Sequence, residues 1–296
     1  MLIRAKGLVP PFRPPIQGLV NGGQARAVAG ARVYVLQVNS NPYTSSSISL
    51  LDSSTGNPRD SVGNYVLTNE YGGFSIAGNY TCTSGRQVYL YVRGGNSGGD
   101  GENPAIGLMA SLGMCPESGN FDTKLPFIFV NEVSTVAAAY AMAGSAADAT
   151  HINSPSTTHD AVDKASAADL ANIATGFAYS EQPSNPERKV PRDKIHTLAN
   201  ILSACVNSNS PASDGCQILF ANARSRGGAG AVPEDTATAA INIARSPHAN
   251  VGALFSLQPK VSAPFTPALD SAPADFTLPE APEKPGTEIA AIFAPQ

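Results

Sequence analysis

The chain has 296 residues, enough for two modest cores, with 42% hydrophobic and only 14% charged side chains. Its net charge is −4 and its 19 basic residues are scattered, so no cationic stripe faces a run of phosphates and nucleic acid is excluded as a partner. No apolar run approaches the ~20 residues of a membrane-spanning helix.

Residues 1–16 read as an extended N-terminal arm, in which Leu2, Ile3, Leu8 and Val9 stand among Pro10, Pro11, Pro14 and Pro15. Arg4 and Lys6 lack a continuous apolar stretch after them, so this is not a signal peptide. The expectation is a chain that starts after a removed signal or whose start is misassigned.

Residues 17–131 predict an antiparallel β-sandwich. The segments 32–38, 64–68, 73–76, 87–92 and 126–130 are rich in β-branched and aromatic residues and are divided by Gly, Asn and Ser turns. The stretches 39–47 and 94–103 read as surface loops.

Residues 132–258 predict an all-α helical domain, which makes the chain α+β. Val133, Val136, Ala137, Tyr140 and Ala141 fall at helical spacing, with Ser134 able to cap them. A second helix is expected over 160–180, through Val162, Ala165, Leu170, Ile173 and Phe177. A third follows Pro191, a fourth opens at Ile218, a fifth covers 237–245, and a sixth covers 250–257 behind Asn250. Residues 259–296 form a Pro-rich C-terminal arm holding Ile289, Ile292 and Phe293. The junction 131–134 carries no Pro/Gly linker, so the two domains should be hard to separate.

Four cysteines, Cys82, Cys115, Cys205 and Cys216, have no CxxC spacing and no His at ligand distance. Each candidate domain holds two, which favours Cys82–Cys115 and Cys205–Cys216 and an oxidising, extracellular or cell-surface compartment.

The blocks 18–20, 28–35 and 68–76 (Thr-Asn-Glu-Tyr-Gly-Gly-Phe-Ser-Ile) resemble the carboxypeptidase-regulatory-like, transthyretin-type sandwich. The resemblance implies that Gly72 or Gly73 makes the turn and that Phe74 and Ile76 face the core. With the segments 103–113, 130–137, 195–205 and 238–245, residues 16–278 are similar to a family of large exported bacterial proteins. In many of them this region precedes NHL-type repeats, and the resemblance implies no assigned activity. Here the chain ends in the Pro-rich segment with no propeller.

Chemistry is sparse in the sequence. His151 and His159 lie near Asp148 and Asp160, a weak pattern for a metal or acid–base site, and solvated loop residues are expected there. His196 reads as a packing residue or hydrogen-bond donor on a helix. Asp100 and Glu102 are too few carboxylates for calcium. Asn131 and Glu132, with Lys6, are the parts of an isopeptide bond, but capping of the strand-to-helix junction is expected instead. There is no Gly-x-Ser-x-Gly elbow, although a Ser/His/Asp triad from distant residues stays possible. No cofactor, metal or catalytic residue is assigned. The expected function is a non-catalytic secreted or cell-surface structural module that assembles with other copies, or contacts cell-surface components, through Leu2, Ile3, Leu8, Val9, Ile289, Ile292 and Phe293. The alternatives are a carbohydrate- or protein-binding adhesion module, with Tyr43, Tyr71, Tyr89 and Tyr91 as surface candidates, and a hydrolase. A pocket gathering His, Asp and Ser would favour the last.

Overall fold

A computed structural model describes residues 15–41, 45–52, 56–77, 80–99, 101–121, 125–154 and 166–278. The seven residues expected to act as assembly arms lie outside these segments, as do Lys6, Tyr43, Asp100, His159, Asp160, Val162 and Ala165.

The β-rich half consists of β1 (Ile16–Gly22), β2 (Arg26–Ala27), β3 (Arg32–Gln37), β4 (Ile48–Ser49), β5 (Val66–Leu67), β6 (Gly73–Ile76), β7 (Gln87–Arg93), β8 (Gly107–Met114) and β9 (Ile128–Val130). One sheet has the order β2-β1-β6, with β9 also on β1; the other has the order β4-β3-β7-β8, with β5 also on β3. All these pairs are antiparallel except β1 with β9, which is parallel.

Alternation along the strands decides which side chains meet. Val33 and Val35 of β3 and Val88, Leu90 and Val92 of β7 join Val20, Phe74, Ile76, Ile128 and Val130 of the first sheet in one buried cluster. The intervening Tyr34, Leu36, Tyr89 and Tyr91 point the other way and are also buried, beneath the helices. The central strands are therefore covered on both faces, and each buried tyrosine hydroxyl needs a partner. Tyr34 donates to Asp60 (2.5 Å), Tyr91 to Asp235 (2.5 Å), and Tyr89 to Ala149 O (2.9 Å).

Gly72 makes the β6 turn at φ 77°, and its missing Cβ leaves room for the Val20 carbonyl. Phe74 and Ile76 then enter the core at 6% and 1% exposure.

The second half contains α1 (Glu132–Met142), β10 (Ala146–Asp148), β11 (His151–Ile152), α2 (Ala167–Leu170), β12 (Ala171–Asn172), β13 (Phe177–Ala178), β14 (Glu181–Gln182), β15 (Asn185–Lys189), α3 (Arg192–Val206), α4 (Asp214–Asn222), α5 (Thr236–Arg245) and α6 (Val251–Phe255). The protein is thus α+β, but this half is not all helical: three two-stranded hairpins, β10-β11, β12-β13 and β14-β15, interrupt it. Of the helix expected over 160–180, residues 160–165 lie outside the described segments, and within 166–180 only α2 is helical. The chain leaves the helix at Ala171, which is already extended in β12, and the hairpin then turns at Asn172, whose side chain accepts from Ala174 N (2.9 Å), with Gly176 at φ 75°. Among the described residues no helix is long and apolar enough to cross a membrane.

Asn131, not Ser134, caps α1. It accepts from Ser134 N (3.0 Å), while Ser134 Oγ accepts from Asn131 N (2.9 Å) in a reciprocal capping box. Ile218 lies inside α4, which begins four residues earlier behind the Ser213 cap. The start of the Pro-rich arm is not free either: Asn200 exchanges two hydrogen bonds with the Phe265 backbone (2.9 and 3.0 Å), and Tyr140 donates to Phe276 O (2.7 Å). Phe265 and Phe276 are buried at 4% and 0% exposure, so residues up to Leu278 belong to the helical layer.

Two disulfides, Cys82–Cys115 and Cys205–Cys216, brace the two halves with Cα separations of 6.0 and 4.4 Å. The second ties the end of α3 to the first turn of α4.

Candidate functional site

The β3–β4 connection is stitched to the β10–β11 hairpin. Ser47 N donates to Thr150 O (2.7 Å), Ile152 N to Ser47 Oγ (3.2 Å) and Asn39 N to Ile152 O (3.0 Å). These bonds hold the exposed Ser46 against the hairpin turn.

In that turn Asp148 Oδ1 accepts from Thr150 N (2.8 Å) and His151 N (2.9 Å). The same carboxylate lies 2.9 Å from His151 Nδ1 through each of its oxygens. Burial raises the Asp148 carboxyl, but the hydrogen bonds from His151 and Thr150 outweigh it and hold the group below its ordinary value. An ionised carboxylate only accepts, so in the neutral ring the tautomer that fits carries its proton on Nδ1 and presents Nε2 as an acceptor. Ser46 Oγ lies 3.2 Å from that Nε2.

A cleft of about 440 Å³ opens beside this row. Leu36, Tyr91 and Arg93 come from the sheet, Ser61 and Val62 from a loop, and Val232, Pro233, Asp235, Thr238 and Asn242 from α5 and its approach. Asp235 caps α5 by accepting from Thr238 N (2.8 Å) and takes the Tyr91 hydroxyl on its other oxygen. Burial raises its carboxyl against these hydrogen bonds. Arg93 meets Glu234 at 3.8 Å, with Glu234 84% exposed, a pair of little strength. Asn242 donates to Ala223 O (3.0 Å), while its buried Oδ1 has no partner among the described residues.

Other sequence candidates fall elsewhere. His196 is fully buried; its Nδ1 donates to Pro267 O (3.0 Å) and its Nε2 accepts from Ala178 N (3.4 Å), so burial holds it neutral, with its pKa lowered to about 4. Glu102 pairs with Arg32 at 3.7 Å. Among the described residues no three His, Cys, Asp or Glu gather to hold a metal. Asn131 and Glu132 sit at the start of α1, as the capping expectation has it. Tyr89 and Tyr91 are interior residues and cannot form a surface platform; Tyr71 is 70% exposed and stands apart from them.

No family model, curated protein or solved structure matches this chain.

Asp148 and His151 flank a turn with side chains 37% and 36% exposed, in line with the solvated pair expected from sequence, but the hydrogen bonds of that turn fix the position of both. Ser46 was missed altogether. It stands in a Ser-rich loop 105 residues from His151, and no local motif marks it.

Proposed function

We propose that this chain is a secreted or cell-surface module, a β-sandwich joined to a helical domain, that binds a hydroxyl-rich ligand, carbohydrate in its chemistry, in the cleft beside α5. The two facing sheets with a shared interior support the sandwich reading. Two local disulfides and a weakly charged surface support an oxidising compartment. Assembly through the terminal arms draws on residues outside the described structure, so the reading rests on the cleft.

One observation carries it. Asn242 is 3% exposed and lines the cleft, yet its Oδ1 lacks a donor among the described residues. An unsatisfied buried acceptor costs about 1–3 kcal/mol, which a ligand hydroxyl would recover once the Asn242 amide turns its oxygen into the cleft. Seryl and threonyl hydroxyls, Arg93 and Glu234 supply further polar contacts, and Val62, Val232 and Pro233 supply apolar ones.

The test is a glycan array probed with the oxidised protein and with Val232→Trp. Val232 is 47% exposed, so the indole fills the cleft without entering the core. Binding by the native chain that is lost in the variant is expected. No binding, or equal binding by both, would refute the cleft as the working surface.

A further inference from the structure

We infer that Ser46 is an activated nucleophile, with His151 as its base and Asp148 as the residue that positions His151, in a centre that hydrolyses carboxylic esters. This goes beyond the binding role and rests on the same cleft.

Three observations carry it. The first is the row itself: Ser46 Oγ to His151 Nε2 at 3.2 Å, and His151 Nδ1 to Asp148 at 2.9 Å. These lie within or just beyond the range from which a hydroxyl gives its proton to a base, and such contacts are often looser without substrate. The second is that capping alone does not explain the row. The turn is already closed by the Asp148 bonds to the backbone of Thr150 and His151, and it needs neither the imidazole nor Ser46. Thr150 Oγ1 donates to Asp148 (2.9 Å) and lies 3.2 Å from Nδ1, which adds a second acceptor for the Nδ1 proton and leaves the tautomer unchanged. The third is access: Ser46 is exposed and both it and His151 line the cleft.

The chemistry balances with water as the only co-reactant. Ser46 Oγ bonds to the acyl carbon as its proton passes to His151 Nε2. The bond from that carbon to the alcohol oxygen then breaks, and the alcohol leaves with the His151 proton. Water gives a proton back to Nε2 and attacks the acyl-serine; the Oγ–carbon bond breaks, Oγ recovers the proton and the carboxylic acid departs. Asp148 keeps the ring oriented and the Nδ1 proton in place throughout.

The experiment uses the oxidised full chain with a fluorophosphonate probe, peptide mapping of the label, and p-nitrophenyl acetate as substrate. The label is expected on Ser46 and is expected to vanish in Ser46→Ala, a change at an exposed position that leaves the melting temperature unaltered. His151→Ala is expected to slow labelling by about 100-fold or more, the usual contribution of a general base. Asp148→Asn keeps an acceptor for the turn and is expected to lower kcat with KM within about twofold, whereas a collapsed hairpin would move both. No label, a label on another serine, or unchanged turnover in Ser46→Ala overturns the inference. Glycans bound without labelling refute the nucleophile alone; labelling without glycan binding refutes only the ligand reading.

Discussion

Glu132→Gln should make this protein more stable in alkali while changing little near pH 5. Glu132 is the first residue of α1 and is completely buried. Its Oε1 accepts from Gly23 N (2.9 Å), and its Oε2 has no partner among the described residues. A carboxylate at a helix N-terminus gains from the helix dipole, but that gain is under ~2 kcal/mol and loses to desolvation. Burial pushes the group up to about 8 from an ordinary value of 4.5. Between these values the folded chain holds one proton more than the unfolded chain, so stability falls as pH rises, by about 1.4 kcal/mol per unit. The full loss is on the order of 3–5 kcal/mol and is complete only above pH 8. Glutamine preserves the acceptor for Gly23 and has no charge to bury. Urea unfolding of both proteins at about pH 5, 7 and 9 measures the effect as a difference in pH slope, which cancels any fixed cost of repacking the amide. The native chain should lose stability steadily across that range relative to the variant. Parallel curves would refute the reasoning, since they would mean that Glu132 ionises as easily in the fold as out of it.

His196 works in the opposite direction: its folded value of about 4 lies below the ordinary 6.5, so its contribution is full above pH 6.5 and is lost as pH falls towards 4, about 3 kcal/mol in all. His196→Gln should flatten that acid limb in the same assay, and an unchanged limb would count against a buried neutral ring. Replacing Cys205 and Cys216 together with serine should cost about 3 kcal/mol, because the bridge closes a loop of sequence separation 11; chemical denaturation would show a smaller loss if that loop stays ordered when the chain unfolds. Residues 17–131 expressed alone should aggregate, because Tyr34, Leu36, Tyr89, Tyr91 and Met109 would lose their helical cover; a soluble cooperative monomer by sedimentation would contradict this.

The sequence by itself determined what depends on local chemistry. Gly72 and the Phe74/Ile76 alternation fixed a turn and its inward face, since only glycine accepts that φ so cheaply and a strand repeats every two residues. The helical spacing of α3 and α5 was legible for a similar reason, since each carries an apolar stripe that sets its own period, whereas α1 is buried on nearly every side. The two disulfides link cysteines close in sequence. Other features depended on distant partners. β8 reads Gly-Leu-Met-Ala-Ser-Leu-Gly-Met and has no β-branched residue; it is a strand because β7 and the two buried clusters hold it. Tyr89 and Tyr91 looked like surface candidates because a sandwich face often meets water, but α1 and α5 cover this one. Ser46 and Asn242 carry no mark of their own, and Asp148 only a weak one beside His151. Tertiary structure alone brought them to one cleft, through backbone bonds between segments about 100 residues apart and a helix that joins from the far end of the chain.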